Sequence, residues 1–233
     1  MNKKSLLLSD FTGLLFPELC IACGNRLLSQ EKYLCLDCWI DLPVTNFHFN
    51  RDNKVAQLFW GRSVIENATS WFSYKKGSNY QQLIHYIKYK GLKELGTETG
   101  RKFATSLSVS DFIKGVDMVV PVPLHPKKKK KRGFNQSEYI ARGMAEVLKI
   151  PLSVDNLHRI AFTSTQTNKN RFERWKNVEG IFGVHHPEEF TGNHLLLVDD
   201  VVTTGSTLEA CAGHILTIPG TKVSIATLAF ADY

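Results

Sequence analysis

The sequence predicts an α/β protein in which a domain with a central, mostly parallel sheet follows a small cysteine-containing module. In the second half of the chain, short apolar runs alternate with segments of helical period, a pattern typical of a parallel sheet covered by helices on both faces. Four of the five cysteines fall within the first forty residues, which localises the module. We therefore expect the module over residues 1–60 and the larger domain over residues 61–233.

Periodicity and turn residues locate the elements of the first half. Pro17 ends a helical pattern that begins at residue 5, and Gly91 ends another that begins at residue 80. Aromatic and β-branched residues between these two patterns indicate a strand. We expect a helix, a strand and two further helices, in that order, over residues 5–16, 68–74, 80–91 and 94–107.

The second half carries the alternation that defines the fold class. We expect strands over residues 118–122, 152–154, 181–184, 195–198 and 222–229, and helices over residues 135–148 and 205–216. Residues 161–179 are polar and basic and have no period, which predicts either a disordered loop or a functional lid.

Composition and charge restrict the class of protein. The 233 residues are 43% hydrophobic and 11% aromatic, which excludes an intrinsically disordered chain. No apolar run approaches the roughly 18 to 20 residues that span a bilayer, so we expect no membrane insertion. Ser9 and Asp10 end the apolar run that follows Lys3 and Lys4, so we expect no signal peptide and a cytoplasmic location. The net charge of +7 favours phosphates, nucleic acid or acidic surfaces as partners.

The cysteines form two close pairs. Cys20 and Cys23 are separated by two residues, as are Cys35 and Cys38, a spacing typical of a four-thiolate zinc site. Because four thiolates leave no open coordination position, such a zinc ion would be structural. A redox pair and an iron–sulfur cluster are the alternatives. Cys211 lies on a predicted helix, where we expect a small core residue.

The segment from residue 195 to residue 207 points to a sugar-phosphate site. Asp199 and Asp200 follow a buried strand, at the edge of a parallel sheet where ligands bind; we expect them to be solvated and to accept hydrogen bonds from sugar hydroxyls, directly or through a metal. Small residues then open a helix whose amides favour a phosphate. These residues are Thr203, Thr204, Gly205, Ser206 and Thr207. The alternative is a strand end without a ligand, followed by a well-capped helix.

Several motifs resemble a known family. VDDVVTTGST at residues 198–207 resembles the ribose-phosphate signature of the type I phosphoribosyltransferases. PVPLH at 121–125 and RGFNQ at 132–136 resemble the signature of the ComF family, which is associated with DNA uptake in natural competence. Arg159 and Arg174 fit that family's spacing, and so does the cysteine module. The resemblance covers nearly the whole chain.

The resemblance implies roles for these residues. Asp199 and Asp200 would hold the ribose hydroxyls of phosphoribosyl pyrophosphate, and residues 203–207 would cradle its 5-phosphate. A loop that includes Pro121 and Val122 would face the pyrophosphate, near Arg132, with Mg²⁺ bridging the pyrophosphate and the ribose hydroxyls. Residues 163–177 would fold over as a lid that excludes water, and Arg174 on this lid would be a catalytic residue. The alternative for Arg174 and Arg159 is a solvated surface position.

Five consecutive lysines, Lys127 to Lys131, follow the PVPLH motif. They form either a solvated loop or an anion-binding segment for pyrophosphate or a single-stranded nucleic acid. Phe134 close by would either stack on a base or pack as a helix staple.

Two functions fit these patterns. One is a Mg²⁺-dependent phosphoribosyltransferase with an acceptor that the sequence does not identify. The other is an accessory protein of DNA uptake that uses the phosphoribosyl site as a sensor and has single-stranded DNA and other competence proteins as partners. Transcriptional regulation would need an added DNA-binding helix pair, and no such pair is apparent before residue 68.

Overall fold

A four-stranded parallel sheet forms the centre of the molecule, in a computed structural model that describes residues 17–160 and 181–232. Its strands lie in the order β1-β6-β5-β2, and all three pairings are parallel. The strand bounds are β1 Asn67–Tyr74, β2 Met118–Pro121, β5 His194–Val202 and β6 Lys222–Ala231. All of β6 after its first residue is buried, as expected for a strand covered on both faces. The predicted α/β class with a parallel sheet is confirmed.

Seven α-helices, three 3-10 helices and a second sheet of two short strands complete the described part of the chain. The two strands of this second sheet are called the antiparallel pair below. The helices are α1 Leu36–Ile40, α2 Lys54–Gln57, α3 Gln81–Tyr89, α4 Lys93–Leu107, α5 Pro126–Arg132, α6 Gln136–Leu148 and α7 Ser206–Ile215. This antiparallel pair consists of β3, Leu157–Arg159, and β4, Phe182–Val184.

Each face of the sheet carries its own hydrophobic core. On one face, α4 and α6 pack over strand residues that include Leu196 and Val198. On the other face, α7, the antiparallel pair and Phe59 pack over Leu195 and Leu197. The alternation of successive β5 side chains between the two cores follows from the two-residue repeat of a strand.

Helices α4 and α6 approach each other at backbone distance. A Cβ atom added to Gly143 of α6 would lie 2.1 Å from the carbonyl oxygen of Thr97. A Cβ atom added to Gly100 of α4 would lie 2.2 Å from the carbonyl oxygen of Ile140. Only glycine fits at these two positions, so the glycines set how closely α4 and α6 approach each other.

The cysteine module packs directly against the larger domain. Cys20, Leu34 and Cys38 belong to the same buried cluster as the residues of α4 and α6. The ring of Trp39 lies 6.2 Å from that of Trp71 on β1. The Tyr80 hydroxyl, just before α3, donates to the carbonyl oxygen of Cys38 at 3.2 Å. The division of the chain at residue 60 stays a prediction.

Three sequence expectations need correction. Strand β5 continues to Val202, four residues beyond the predicted end. Residues 152–154 form a single bridge from Leu152 to Val119 and no strand, because β2 is short and offers little edge to pair with. Lys127 to Lys131 lie in α5 and not in a loop: Pro126 begins the helix, and Gly133, with φ of 80°, ends it.

Two predicted segments, the helix over residues 5–16 and the lid over residues 163–177, lie outside the described residues. Within the described ranges, the helices are all too short or too polar to cross a lipid bilayer.

We expect Gly143→Ala to destabilise the protein by at least about 2 kcal/mol, because the added methyl group overlaps a backbone oxygen of α4 that cannot move without separating two packed helices. Gly213→Ala is the matched control, since α7 leaves open space at that position. We expect it to be neutral, or stabilising by up to about 1 kcal/mol. Urea unfolding of both variants measures the difference, and equal stabilities would contradict the account of this helix contact.

Candidate functional site

The paired carboxylates lie inside β5 near its carboxyl end. The expectation that both are solvated is wrong for Asp200, whose side chain is only 5% exposed. Asp199 is half-buried. A buried carboxylate is costly unless it is paired, so another group has to compensate the charge of Asp200.

That group is Lys88, the functional residue that the sequence analysis missed. Its Nζ atom lies 3.1 Å from Oδ1 of Asp200. Burial lowers the pKa of Lys88, but the charges of Asp200 and Asp199 and the hydrogen bond to Asp200 leave the pKa raised overall. The sequence contained a signal, because Lys88 stands four residues after the buried Ile84 and therefore on the apolar side of a predicted helix.

Asp199 is held by two donors. Its Oδ1 atom accepts from the hydroxyl of Ser137 at 2.7 Å and from the backbone N–H of Asp200 at 2.8 Å. Burial and the charge of Asp200 raise the pKa of Asp199 to about 7, although these hydrogen bonds and Lys88 act in the opposite direction. Ser137 directly follows the RGFNQ motif, so the residue after this motif holds Asp199 from the first turn of α6.

The loop over residues 203–207 has the form of an anion cradle. Its residues are exposed except Gly205, and with Asp199 they line a cavity of about 60 Å³, which has room for a small anion. Gly205 has φ of 76°, and a Cβ atom there would lie 3.1 Å from the ring of Phe59. Among the residues that the structure describes, no side chain caps the start of α7, so its first amides are available to a ligand. Behind the loop, Arg62 donates to the carbonyl oxygen of Thr204 and pairs with Glu209.

The segment after β2 lies beside the carboxylates, because Pro121 is in register with Val198. Both backbone groups of Val122 are engaged: its N–H donates to the carbonyl oxygen of Val198 at 2.8 Å, and its own carbonyl oxygen accepts from Nδ2 of Asn135 at 3.0 Å. Pro121 and Val122 are buried. Ligand contacts from this loop would therefore come from the half-buried residues that follow them.

Four further residues were singled out from the sequence, namely Arg132, Arg174, Phe134 and Cys211. Arg132 donates to Oε1 of Gln136 at 2.8 Å, and its guanidinium lies 4.9 Å from the ring centre of Tyr89. Arg174 lies outside the described residues. Phe134 is 5% exposed and packs edge-on against Tyr139, so it is not a base-stacking platform. Cys211 is fully buried, as expected of a core residue.

The four cysteines of the module converge. The sulfur atoms of Cys20, Cys23, Cys35 and Cys38 all lie within 4.8 Å of one another. In a zinc tetrahedron with bonds of about 2.3 Å, the sulfurs are separated by about 3.8 Å, and those of Cys23 and Cys35 are 3.7 Å apart. Burial acts to raise the pKa of Cys20, but hydrogen bonds from nearby backbone N–H groups lower it to about 7. The cluster can hold a structural metal ion.

The sheet, the two carboxylates and the loop after them define a phosphoribosyltransferase-like protein. The family described as "Phosphoribosyl transferase domain" matches residues 135–232. DNA utilization protein YhgH of Salmonella typhimurium is 30% identical over 205 residues, which cover 85% of this chain and 84% of the relative. Competence protein ComFC of Bacillus subtilis is 31% identical over 200 residues, which cover 85% of this chain and 78% of the relative. The chain belongs to the ComF family.

Among solved structures, glutamine phosphoribosylpyrophosphate amidotransferase from B. subtilis, complexed with ADP and GMP, aligns with a TM-score of 0.45 and 17% identity. The alignment covers 62% of this chain and 30% of that one. A similarity this low adds nothing to the family match.

We expect the protein, purified without added metal, to contain about one zinc ion per chain, because four thiolates at this spacing favour zinc. Cys35→Ser should lose most of the metal and lower the unfolding midpoint by about 5 °C or more, about 2 kcal/mol in a chain of this size. Cys211→Ala, a cysteine variant outside the cluster, should keep its metal. Elemental analysis with thermal unfolding tests this, and a metal content near zero or the absorbance of an iron–sulfur cluster would refute it.

Proposed function

We propose that the chain binds phosphoribosyl pyrophosphate together with Mg²⁺ at the carboxyl edge of the sheet. The observation that carries the proposal is the strand–loop–helix unit in which Asp199 and Asp200 directly precede the cradle of residues 203–207. Carboxylate oxygens accept hydrogen bonds from sugar hydroxyls, whereas free amides at a helix start favour a phosphate. A phosphorylated ribose requires both groups side by side.

The residues of this site would position the ligand and would not react with it covalently. Asp199, fixed by Ser137, would orient a ribose hydroxyl, and the cradle would hold the 5-phosphate. Bound Mg²⁺ would neutralise charge on the pyrophosphate. If the ligand is transferred to an acceptor, positive charge develops on the sugar ring as pyrophosphate departs, and catalysis rests on positioning and charge stabilisation. The reaction class is then a pentosyl transfer.

We expect Asp199→Asn to weaken binding of phosphoribosyl pyrophosphate in the presence of Mg²⁺ by at least about thirtyfold, or about 2 kcal/mol. The asparagine keeps an oxygen for Ser137 and for the Asp200 amide, so the fold should survive. Replacing Asp200 as well would leave Lys88 buried without its partner, so the single variant is the cleaner test. Isothermal titration measures the affinity, with the exposed Asp52→Asn as the control. An affinity equal to that of the wild type would reject the assignment.

A second candidate function is binding of single-stranded DNA through α5. Lys127 to Lys131 are all exposed, and among residues 17–160 and 181–232 no carboxylate forms an ion pair with any of them. A cluster of unpaired cations on one short helix favours a polyanion, because each phosphate contact releases counterions. The relatives are called DNA utilization and competence proteins. We propose accordingly that the chain acts in the cytoplasm in DNA uptake, alongside other competence proteins.

We expect the triple variant Lys128→Ala, Lys129→Ala and Lys130→Ala to bind single-stranded DNA less tightly and to reduce the slope of log affinity against log salt by about two. Alanine keeps the helix. Phosphoribosyl pyrophosphate binding should hardly change.

The matched control removes three exposed lysines elsewhere, Lys75, Lys76 and Lys114, and should leave the slope nearly unchanged. Fluorescence anisotropy over a series of salt concentrations compares the two variants. If the α5 variant loses pyrophosphate binding and keeps DNA binding, the lysines serve the pyrophosphate. Equal slopes in both variants would remove the support for a DNA surface on α5.

A further inference from the structure

Lys88 forms the most buried ion pair in residues 17–160 and 181–232. The side chains of Lys88 and Asp200 are 23% and 5% exposed, whereas both partners are at least 15% exposed in every other pair of that part of the chain. Lys88 stands in the last turn of α3. Because Leu83, Ile84 and Ile87 fix α3 against the core, the position of the ammonium group is set by the fold.

This pair is an unusual way to stabilise a protein. The cost of removing two charges from water offsets much of their attraction, and apolar side chains of similar size are often as stabilising. Moreover, Oδ2 of Asp200 is buried and has no hydrogen-bond partner in the described residues. A purely structural pair would be expected to satisfy both oxygens, so the arrangement points to a role at the site.

Charge and hydrogen bonding together restrict what the site can bind. Two carboxylates and one ammonium group leave a net charge of −1 when all three are ionised. Lys88 occupies one oxygen of Asp200, and Ser137 and a backbone N–H occupy one oxygen of Asp199. A bare divalent cation prefers several free carboxylate oxygens and a higher negative charge, whereas a neutral hydroxyl needs a single accepting lone pair.

We propose that Lys88 is a positioning and specificity residue of the sugar-phosphate site: it holds Asp200 in place beside Asp199, the half-buried carboxylate that can accept from ribose hydroxyls, and keeps the carboxylate pair from capturing a free divalent cation. The proposal rests on the proposed function, because it assumes that Asp199 faces a ribose. Lys88 lies on α3, the helix that follows β1. This helix is not part of the sequence motifs that indicate the site.

The test uses ribose 5-phosphate without any divalent cation, so that the carboxylates and the cradle are probed apart from Mg²⁺. Isothermal titration compares the wild type with Lys88→Met, Lys88→Arg and the control Lys90→Met, which removes an exposed cation two residues further on. We expect Lys88→Met to weaken binding by about tenfold or more, since hydrogen bonds to charged groups contribute at this level. Lys88→Arg should restore most of the affinity, and Lys90→Met should match the wild type.

A second titration uses Mn²⁺ alone. Removing the ammonium group should tighten Mn²⁺ binding by about tenfold, because Lys88 then no longer repels the cation or occupies an oxygen of Asp200. A purely structural role for Lys88 would not produce this opposite change in the two affinities. Thermal unfolding of each variant identifies loss of fold, and if Lys88→Met does not fold, Lys88→Gln provides the neutral side chain and carries the same two expectations.

The outcomes separate the two proposals. If the wild type binds ribose 5-phosphate and the neutral variant binds it equally well, the inference about Lys88 is wrong and the proposed function stands. Weaker sugar-phosphate binding without tighter Mn²⁺ binding would overturn the specificity role. If the wild type binds neither ribose 5-phosphate nor phosphoribosyl pyrophosphate, the proposed function fails, and the inference that rests on it fails too.

Discussion

Strand β5 is hydrogen-bonded in parallel to β2 on one side and to β6 on the other. Parallel pairing sends the carboxyl ends of all these strands to one edge of the sheet. The segment after β2, the carboxylates of β5 and the loop before α7 are therefore neighbours, although they are far apart in the sequence. Ser137, in the first turn of α6, lies at the same edge and donates to Asp199.

Burial of charge at this edge determines which other elements must be present. Asp200 has almost no exposure, so the fold has to supply a cation, and it does so through α3. Asp199 is fixed by a hydroxyl from α6. The cradle of residues 203–207 is supported from behind by Phe59 and Arg62, which lie between α2 and β1. The site is thus assembled from three parts of the chain around one strand.

The sequence predicted those features that depend on local pattern. The four strands of the central sheet, the long helices and the cysteine cluster each have a periodicity or spacing of their own, and their positions agree with the structure to within a few residues. The burial of Asp200 could not be predicted, because it depends on the packing of a helix more than a hundred residues earlier in the chain. Similarly, a run of five lysines has no hydrophobic period, so the sequence predicted a loop there. Pro126 and Gly133 are nevertheless typical of the start and the end of a helix.

Helix α3 touches two distant parts of the molecule, through the Tyr80 hydroxyl before its first turn and through Lys88 in its last. Each residue of an α-helix turns the chain by about 100° and advances it by about 1.5 Å. Inserting or deleting one residue between these positions would rotate the ammonium group away from Asp200 while Tyr80 stayed beside Cys38. The length of this helix is consequently fixed, and during evolution insertions and deletions should be far less tolerated here than in the turn over residues 75–78.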